Sequence, residues 1–555
     1  MKIIGPEQTI RKLYKATPVQ LKAAFFSSLT AGLMAHLYQF TNKLYNFDTL
    51  YNTPGEIGEG LALGRFGLYI LNRIVGHLFA NYSLPLVDGM ISLFLIAVSA
   101  CLIVYILRIE GVISSALTGA ILSVYPSVTC SFFYIYTSSY YCLALLLSCL
   151  SVFFILKKRK IMNFGIAVLL LAFSTGIYQS YFAVSITLIL SYLIILCFDS
   201  LNNNIRDNSC NFKSIFVFSL YCLIYSLSGL ILYLAITKLS LAVSNTTLSE
   251  YQGLSSIGKI DITHILRMVR NSYIHTFHLI TENVDGLNPT AVIKSAMFLL
   301  FLVFLLFTLS TIKKGLQDRN NFMLVIMFVI FLGIFPISLF LAYVMSNPDT
   351  YIYSIMLNSV IFSIILPITM LDHMTVLYGS KEEIPISETK MYLPGSLNLS
   401  NWITFLSVFA IIMVYIWYAN GNYMRMQYTN FHDIAYYTVL MDQIKSVEGY
   451  EDELPVIVLG HTINDSTNNA GSLISDKFNL YGIMESNISA YSSNSLFTKY
   501  LGFTPEFLWS DEDEAKFKHD PRVLEMPCYP DYGSIKLIDG VIVVKLEEAS
   551  TDNNE

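Results

Sequence analysis

The chain has 555 residues, of which 54% are hydrophobic and only 13% are charged. A soluble globular protein averages roughly 25% charged residues. This composition, with a mean hydropathy of +0.56, therefore excludes an ordinary soluble enzyme and a disordered chain. The formal net charge of −6 and the lack of a basic stripe in the sequence argue against nucleic acid as a partner. Most of the chain is expected to lie in membrane lipid.

Apolar segments that approach the length of a bilayer-spanning helix, roughly 20 residues, recur along the chain. About eleven are expected, at residues 23–40, 86–107, 112–128, 140–156, 161–176, 181–198, 215–236, 291–312, 322–344, 351–371 and 402–419. The region 161–198 fits either two short helices around Tyr178-Gln179-Ser180 or one long broken helix. The sequence therefore predicts an all-α polytopic membrane protein.

Lysine and arginine in the short loops predict the orientation of these spans. The first 22 residues and the run at 157–160 are rich in both, whereas the opposite loops at 134–139 and 346–350 have neither. The N-terminus is therefore expected in the cytoplasm, and an odd number of spans then leaves the C-terminus outside. No cleavable signal peptide is expected, since the first apolar run begins near residue 23 and lacks a small-residue cleavage pattern.

The composition changes near residue 420, and this change predicts a domain boundary. Residues 1–419 form the membrane domain, with a first outer loop at 41–85 and a larger outer loop at 240–290. Residues 420–555 are acidic and predict a small extracytoplasmic α/β domain. A helix is expected near 430–447, a strand at 454–459, and a hairpin at 534–546 that turns at Asp539-Gly540.

The eight cysteines do not form a recognisable framework. Most fall inside apolar runs, and no CxxC or Cys/His spacing typical of zinc occurs. Cys130 and Cys528 are the pair that could meet on one side of the membrane, but a disulfide between them is not expected. There is also no Walker A motif and no GxGxxG opening a helix. The acidic run at 511–514 resembles a metal motif but is interpreted as a solvated charge run, so neither a metal nor another cofactor is expected.

The first outer loop carries the most informative residues. It contains the acids Asp48, Glu56 and Glu59, the cation Arg65 and several glycines. A polar, flexible loop at membrane level persists where it lines a wet or substrate-filled cavity. There, a carboxylate can deprotonate a hydroxyl group and an arginine can bind a phosphate with two hydrogen bonds. The alternative is a solvated loop whose charges contact lipid headgroups.

This loop resembles that of the GtrII-type glucosyltransferases, bacterial membrane enzymes of the GT-C class. The resemblance rests on Asn46-Phe47-Asp48, Asn52-Thr53-Pro54-Gly55, Gly64-Arg65-Phe66 and the apolar segment at 68–74. The aromatic second outer loop at 132–137, the Tyr178-Gln179-Ser180-Tyr181 segment and the general plan of spans plus an outer domain support it.

The resemblance implies a function at the outer face of the bacterial plasma membrane. The family moves a glucosyl (hexosyl) group from a polyprenyl-phosphate donor to a cell-envelope glycan such as O-antigen. A donor-synthesising enzyme and a flippase are then implied as partners. GT-C enzymes generally place their catalytic acid in the first outer loop, which here corresponds to Asp48.

The expected reaction is a displacement with inversion at the anomeric carbon. Asp48 is the candidate general base on the acceptor hydroxyl, and Arg65 is the first candidate to stabilise the departing phosphate. Arg73 and His77 follow along the chain as weaker candidates for phosphate binding. Anchoring to lipid headgroups is the alternative role for Arg73 and His77.

A further group of residues is expected to bind the sugar or the acceptor. The candidates are Glu56, Glu59, Tyr134, Tyr136, Tyr178 and Gln179, and Tyr140-Tyr141 could stack on sugar or prenyl groups. Solvated acids and an ordinary aromatic belt at the membrane interface are the alternatives.

Two other classes of function stay open at this point. One is a transporter or flippase for lipid-linked glycans, although the internal repeats typical of transporters are not clear in the sequence. The other is an envelope polysaccharide polymerase or an enzyme that modifies the envelope with acyl groups. Transport would tolerate neutralisation of Asp48, whereas glycosyl transfer would not.

Overall fold

The computed structural model of the protein describes residues 5–52, 60–79, 83–157, 160–202, 211–249, 262–346, 351–379, 395–460, 478–482, 492–508 and 510–547. The helices are α1 Pro6–Ala16, α2 Val19–Asn42, α3 Phe47–Asn52, α4 Phe66–Phe79, α5 Pro85–Ile106, α6 Val112–Val124, α7 Pro126–Phe133, α8 Ile135–Leu156, α9 Ile161–Ile177, α10 Tyr181–Asn202, α11 Phe212–Val243, α12 Ile262–Thr281, α13 Ala291–Gln317, α14 Phe322–Leu339, α15 Leu341–Met345, α16 Phe362–Gly379, α17 Gly395–Lys445, α18 Ser493–Lys499, α19 Asp511–Lys518 and α20 Pro521–Leu524. The strands are β1 Val456–Leu459, β2 Ile535–Ile538 and β3 Val541–Lys545.

Contacts between residues divide the chain into two units. The first comprises Met1–Thr41 and Pro54–Asn420, and the second comprises Asn42–Thr53 and Gly421–Glu555. Part of the predicted first outer loop is thus grouped with the C-terminal part of the chain, although the two are far apart in sequence.

Within the described residues, nine helical segments, one of them formed by α6 and α7 together, are long and apolar enough to cross a membrane. The predicted spans at 23–40 and 161–176 lie on two other helices, α2 with 24 residues and α9 with 17 residues. The ambiguous region forms two helices, because Tyr178-Gln179-Ser180 separates α9 from α10. The protein is a mostly helical, polytopic membrane protein, as predicted.

Three helix boundaries differ from the sequence prediction. The span at 112–128 breaks at Tyr125, because Pro126 begins α7 and has no N–H to continue α6. The span expected at 351–371 begins later, because short 3₁₀ turns at 354–361 precede α16, which starts at Phe362. The helix expected at 430–447 is not separate, because α17 runs unbroken for 51 residues through the preceding span.

Buried polar contacts join several helices of the first unit. The ring of His373 on α16 lies 2.9 Å from Asp199 on α10 through Nδ1 and 2.9 Å from the carbonyl of Leu107 through Nε2. The neighbouring Asp372 accepts the backbone N–H groups of Glu110 and Gly111. Polar groups within apolar surroundings are stable only when they are paired in this way, so these contacts fix the packing of the helices.

The second unit contains a three-stranded sheet with the order β1-β3-β2. Strand β3 pairs parallel with β1 and antiparallel with β2. The strand at 454–459 and the hairpin at 534–546 are confirmed, and the turn residues Asp539 and Gly540 both have positive φ. Alternate residues of β3 face two apolar clusters, with Ile542 and Val544 in one and Val543 in the other.

Candidate active site

A tight turn places Arg65 at the start of α4. Within it, the N–H of Gly64 donates to the carbonyl of Leu61 (2.9 Å) and the N–H of Arg65 donates to the carbonyl of Gly60 (2.6 Å). Gly64 has a φ of 70°, a conformation that glycine adopts without the steric cost of a side chain. The carbonyl of Arg65 then accepts the N–H of Tyr69, so the residue caps the helix that follows.

The guanidinium of Arg65 packs against two stacked tyrosine rings. Its central carbon lies 4.9 Å from the centre of the Tyr178 ring, and Nη1 lies 3.5 Å from the hydroxyl of Tyr141. The rings of Tyr141 and Tyr178 stack with their centres 4.6 Å apart. The structure therefore brings Arg65, Tyr141 and Tyr178 together, and the aromatic face stabilises the guanidinium charge.

Two further side chains hold the turn that carries Arg65. The Gln179 amide donates to the carbonyl of Leu63 (2.7 Å) and to the hydroxyl of Tyr233 (3.3 Å). The Tyr233 hydroxyl in turn donates to the carbonyl of Gly64 (3.2 Å). Gln179, expected to bind sugar or acceptor, is thus positioned to orient the turn. Below, Arg65, Tyr141, Tyr178, Gln179 and Tyr233 are called the Arg65 cluster.

Tyr233 was not identified from the sequence. It lies in the middle of α11, an apolar helix, far along the chain from the first outer loop. The one available signal is chemical, since a buried tyrosine hydroxyl usually requires a hydrogen-bond partner. That signal does not reveal which partner it will be.

The two weaker phosphate candidates lie further along α4. Arg73 is exposed and its guanidinium lies over the ring of Tyr69 on the same helix, at 5.1 Å. His77 is also exposed, in the last turn. These positions suit contact with lipid headgroups, the alternative role considered for both residues.

The aromatic candidates of the second outer loop lie where α7 meets α8. Tyr134 is buried, and its backbone carbonyl accepts the N–H of Thr137 (2.9 Å). Tyr136, in the first turn of α8, is partly exposed. Tyr136 is therefore the more accessible of the two to a sugar.

Asp48 belongs to the second unit, whereas Arg65 belongs to the first. It lies in the first turn of α3 and is partly exposed. The Asn46 side chain caps this helix by accepting the N–H of Thr49 (2.8 Å). Buried Leu50 packs into the apolar cluster of the second unit, so the helix that presents Asp48 is anchored on its opposite side. Glu56 and Glu59 lie outside the described residues.

Tyr45 attaches this segment to α17. Its backbone exchanges two hydrogen bonds with the Asn430 side chain, at 3.1 and 2.8 Å. Burial and then the nearby Asp433 carboxylate raise the pKa of the Tyr45 hydroxyl, so the hydroxyl stays protonated and donates to the carbonyl of Asn430. These bonds fix the chain immediately before α3.

Among the described residues, no group of three or more histidine, cysteine, aspartate or glutamate side chains could hold a metal ion. The seven described cysteines, including Cys130 and Cys528, are free thiols.

The comparison with known families covers most of the elements described above. Residues 37–364 match the family described as "Glucosyl transferase GtrII". This stretch contains Asp48 and every member of the Arg65 cluster. No curated protein and no solved structure matches the chain significantly. Because the family match spans more than half of the chain, the protein belongs to the GtrII glucosyl transferase family and is a glycosyltransferase.

Proposed function

We propose that the protein transfers a glucosyl or closely related hexosyl group from a polyprenyl-phosphate donor to an envelope glycan such as O-antigen. The reaction takes place at the outer face of the bacterial plasma membrane. The observation that carries this proposal is the Arg65 cluster. In it, a guanidinium is held against aromatic rings, in a protein whose apolar helices are long enough to span a membrane. An arginine fork matches phosphate oxygens, while the surrounding helices suit the lipid part of the donor.

The chemistry follows from the charges that change during transfer. The acceptor oxygen forms a bond to the anomeric carbon on the face opposite the phosphate, and the bond from that carbon to the phosphate oxygen breaks. The acceptor proton passes to Asp48 as general base. The departing lipid phosphate gains negative charge, which Arg65 stabilises. Attack from the opposite face inverts the anomeric configuration.

The basic loops support the proposed orientation. Lys157 and Lys160 follow α8, while Lys313 and Lys314 lie near the end of α13 and Arg319 follows it. The other ends of these two helices adjoin loops with few cations. The positive-inside rule then assigns the loops at 60–65, 178–180 and 282–290 to the outer face. The family membership favours glycosyl transfer over the alternative of a glycan transporter or flippase.

Replacement of Asp48 tests the assignment of the base. Asp48→Asn has nearly the same shape but does not accept the acceptor proton, so kcat is expected to fall about 10²-fold or more. The assay uses the purified full chain, a polyprenyl-phosphate glucose and surface glycan extracted from cells that lack this protein. The product is detected as hexose incorporated into the glycan.

Asp442→Asn is the matched control, because Asp442 is an exposed acid in the same unit. It is expected to turn over like the wild type. Normal turnover by Asp48→Asn would remove Asp48 from the mechanism. Lack of any hexose transfer by the wild-type chain from this donor would contradict the proposed donor.

A further inference from the structure

The loop between α12 and α13 holds a carboxylate that the mechanism above does not use, that of Asp285. The backbone around it is fixed by Asn288, whose amide donates to the carbonyls of His278, Leu279 and Glu282 and accepts the N–H of Val284. Asn288 therefore satisfies two carbonyls in the last turn of α12, those of His278 and Leu279. The Asp285 side chain is not needed to end that helix.

The same loop is tied to other parts of the first unit. Ser354 donates to the backbone carbonyl of Asp285, and the Tyr415 hydroxyl donates to the carbonyl of Leu287 at 2.7 Å. Asp285 itself has a φ of 47°, in the left-handed region. A residue other than glycine keeps this conformation when its surroundings enforce it, and such residues concentrate at functional sites.

Two phenols orient the Asp285 carboxylate. Tyr343 donates to Oδ2 at 2.7 Å and Tyr351 donates to Oδ1 at 3.1 Å. Burial and the carboxylate itself raise the pKa of the Tyr343 hydroxyl, so Tyr343 remains a donor. A carboxylate accepts about four hydrogen bonds, and Asp285 is partly exposed. Acceptor positions therefore remain for a ligand that carries hydroxyl groups.

Aromatic surface lies beside this carboxylate. The side chain of Tyr351 is 61% exposed, and its ring lies 4.9 Å from that of Tyr353. The ring of Tyr343, the other tyrosine that donates to Asp285, stacks on His275 with ring centres 4.6 Å apart. Burial lowers the pKa of His275, so this ring favours the neutral form near pH 7 and does not act as a counter-charge to Asp285. A carboxylate next to exposed rings matches a neutral saccharide, whose hydroxyls donate and whose C–H faces stack.

The Asp285 site and the Arg65 cluster flank the same buried helix. On α7, Cys130 lies beside Ser354, which also donates to the backbone carbonyl of Asp285. The next residue, Ser131, lies beside the side chain of Tyr181. The Tyr181 ring in turn packs against Tyr178 of the Arg65 cluster, with centres 6.1 Å apart. Consecutive helix residues point about 100° apart, so the two groups of residues lie on adjacent sides of α7.

We propose that Asp285, Tyr343 and Tyr351 form the subsite that binds the hydroxyl groups of the acceptor glycan, beside the Arg65 cluster that binds the donor phosphate. This inference rests on the proposed function and adds the residues that recognise the acceptor. Asp285 is a binding residue in this scheme, while proton transfer remains with Asp48.

The test compares variants of the site with a control from the same loop. Asp285→Asn, Tyr351→Ala and Tyr351→Phe alter the site. Glu282→Gln is the control, because Glu282 is exposed and its carboxylate lies 3.4 Å from His278. Transfer rates are measured against acceptor concentration at saturating donor, and against donor concentration at saturating acceptor. The acceptor is again the surface glycan from cells lacking the protein.

Loss of a hydrogen bond to a charged group weakens binding about tenfold or more. Asp285→Asn is therefore expected to raise the acceptor KM at least about tenfold. The donor KM and kcat stay near the wild-type values. Tyr351→Ala raises the acceptor KM as well, and Tyr351→Phe, which keeps the ring, raises it less. Glu282→Gln behaves like the wild type. Because Tyr351 is largely exposed, its variants keep the test valid even where Asp285→Asn folds poorly.

Unchanged acceptor KM in both Asp285→Asn and Tyr351→Ala would overturn the proposal. A collapse of kcat at unchanged acceptor KM would also overturn it, since Asp285 would then act in the chemical step. Equilibrium binding of tritium-labelled glycan to the purified chain tests the acceptor subsite independently of the proposed donor. Glycan binding that is lost in Asp285→Asn supports the subsite even where no hexose is transferred, whereas equal binding by the variant and the wild type refutes it.

Discussion

Arg65 shows how a permanent charge is accommodated at the start of the short apolar helix α4. Its guanidinium lies on the face of Tyr178 and reaches the hydroxyl of Tyr141. A cation on an aromatic face gains about 2 kcal/mol when it is withdrawn from water. The aromatic contact fixes the direction of the fork, and a fixed fork is the geometry that a phosphate recognises.

Substitution of Arg65 separates phosphate binding from simple charge. We expect Arg65→Ala to lower kcat about 10²-fold or more, because the departing phosphate loses its partner. Arg65→Lys keeps one charge but loses the planar fork, so a smaller loss is expected. The measurement is hexose transfer at saturating donor and acceptor.

Two other arginines serve as comparisons for this experiment. Arg73→Ala is expected to have a milder effect, since Arg73 is exposed on α4. Arg319→Ala, an exposed residue that follows α13, is expected to have none. Wild-type rates in both Arg65 variants would mean that Arg65 only anchors the protein at the interface.

At the scale of elements, side chains from later in the chain hold the turn at residues 60–65. Tyr233 on α11 and Gln179 between α9 and α10 hold the carbonyls of Gly64 and Leu63. The turn that carries Arg65 is therefore shaped by α11 and by the segment that links α9 to α10. A loop held by side chains of its supporting helices keeps the geometry that catalysis requires.

Gly64→Ala tests this support. A Cβ at residue 64 would lie 2.9 Å from the Tyr233 hydroxyl, and the backbone has a φ of 70°. Left-handed backbone costs a residue with a side chain roughly 1–2 kcal/mol. We expect kcat/KM for the donor to fall about tenfold, and Tyr233→Phe to have the same direction of effect.

Gly165→Ala on α9 is the control, because nothing lies within 4 Å of a Cβ at that position. Alanine is the better helix former, so this variant is expected to stay active and fully folded. Equal activity of Gly64→Ala and Gly165→Ala would mean that the turn is not part of the active site.

At the scale of the whole molecule, the chain combines two units that differ in composition and in relation to the family. The family match ends at residue 364, before α17 and the sheet of the second unit. The second unit nevertheless contains residues 42–53, and with them Asp48. The C-terminal part of the chain therefore supplies the packing partners of the helix that presents the candidate base.

The orientation of the chain is tested with fusions at two positions. Alkaline phosphatase fused to the C-terminus is expected to be active, and a fluorescent protein that matures in the cytosol is expected to stay dark. The same two fusions placed after Lys157 should give the reverse pattern, because the loop there is predicted to be cytoplasmic. A bright C-terminal fluorescent fusion would place residues 421–555 in the cytoplasm and contradict the proposed outer active site.

The sequence by itself determined the membrane class and most of the helices. In a bilayer, each spanning segment must satisfy its own backbone hydrogen bonds, and the apolar runs that result are visible locally. The β-hairpin was predictable for a similar reason, since Asp539-Gly540 favours the turn on its own. Short motifs also identified Arg65 and the segment that contains Tyr178 and Gln179, and they indicated the GtrII family.

The tertiary structure decided which of these residues meet. Three observations join distant parts of the chain. Tyr233 pairs with Gly64, residues 42–53 are grouped with 421–555, and two tyrosines donate hydrogen bonds to Asp285. An apolar helix in lipid shows little sequence preference for which side packs against protein, because lipid chains and helix surfaces are equally apolar. The pairing of hydroxyls with carbonyls is therefore set when the helices pack. It cannot be predicted from the local pattern of residues.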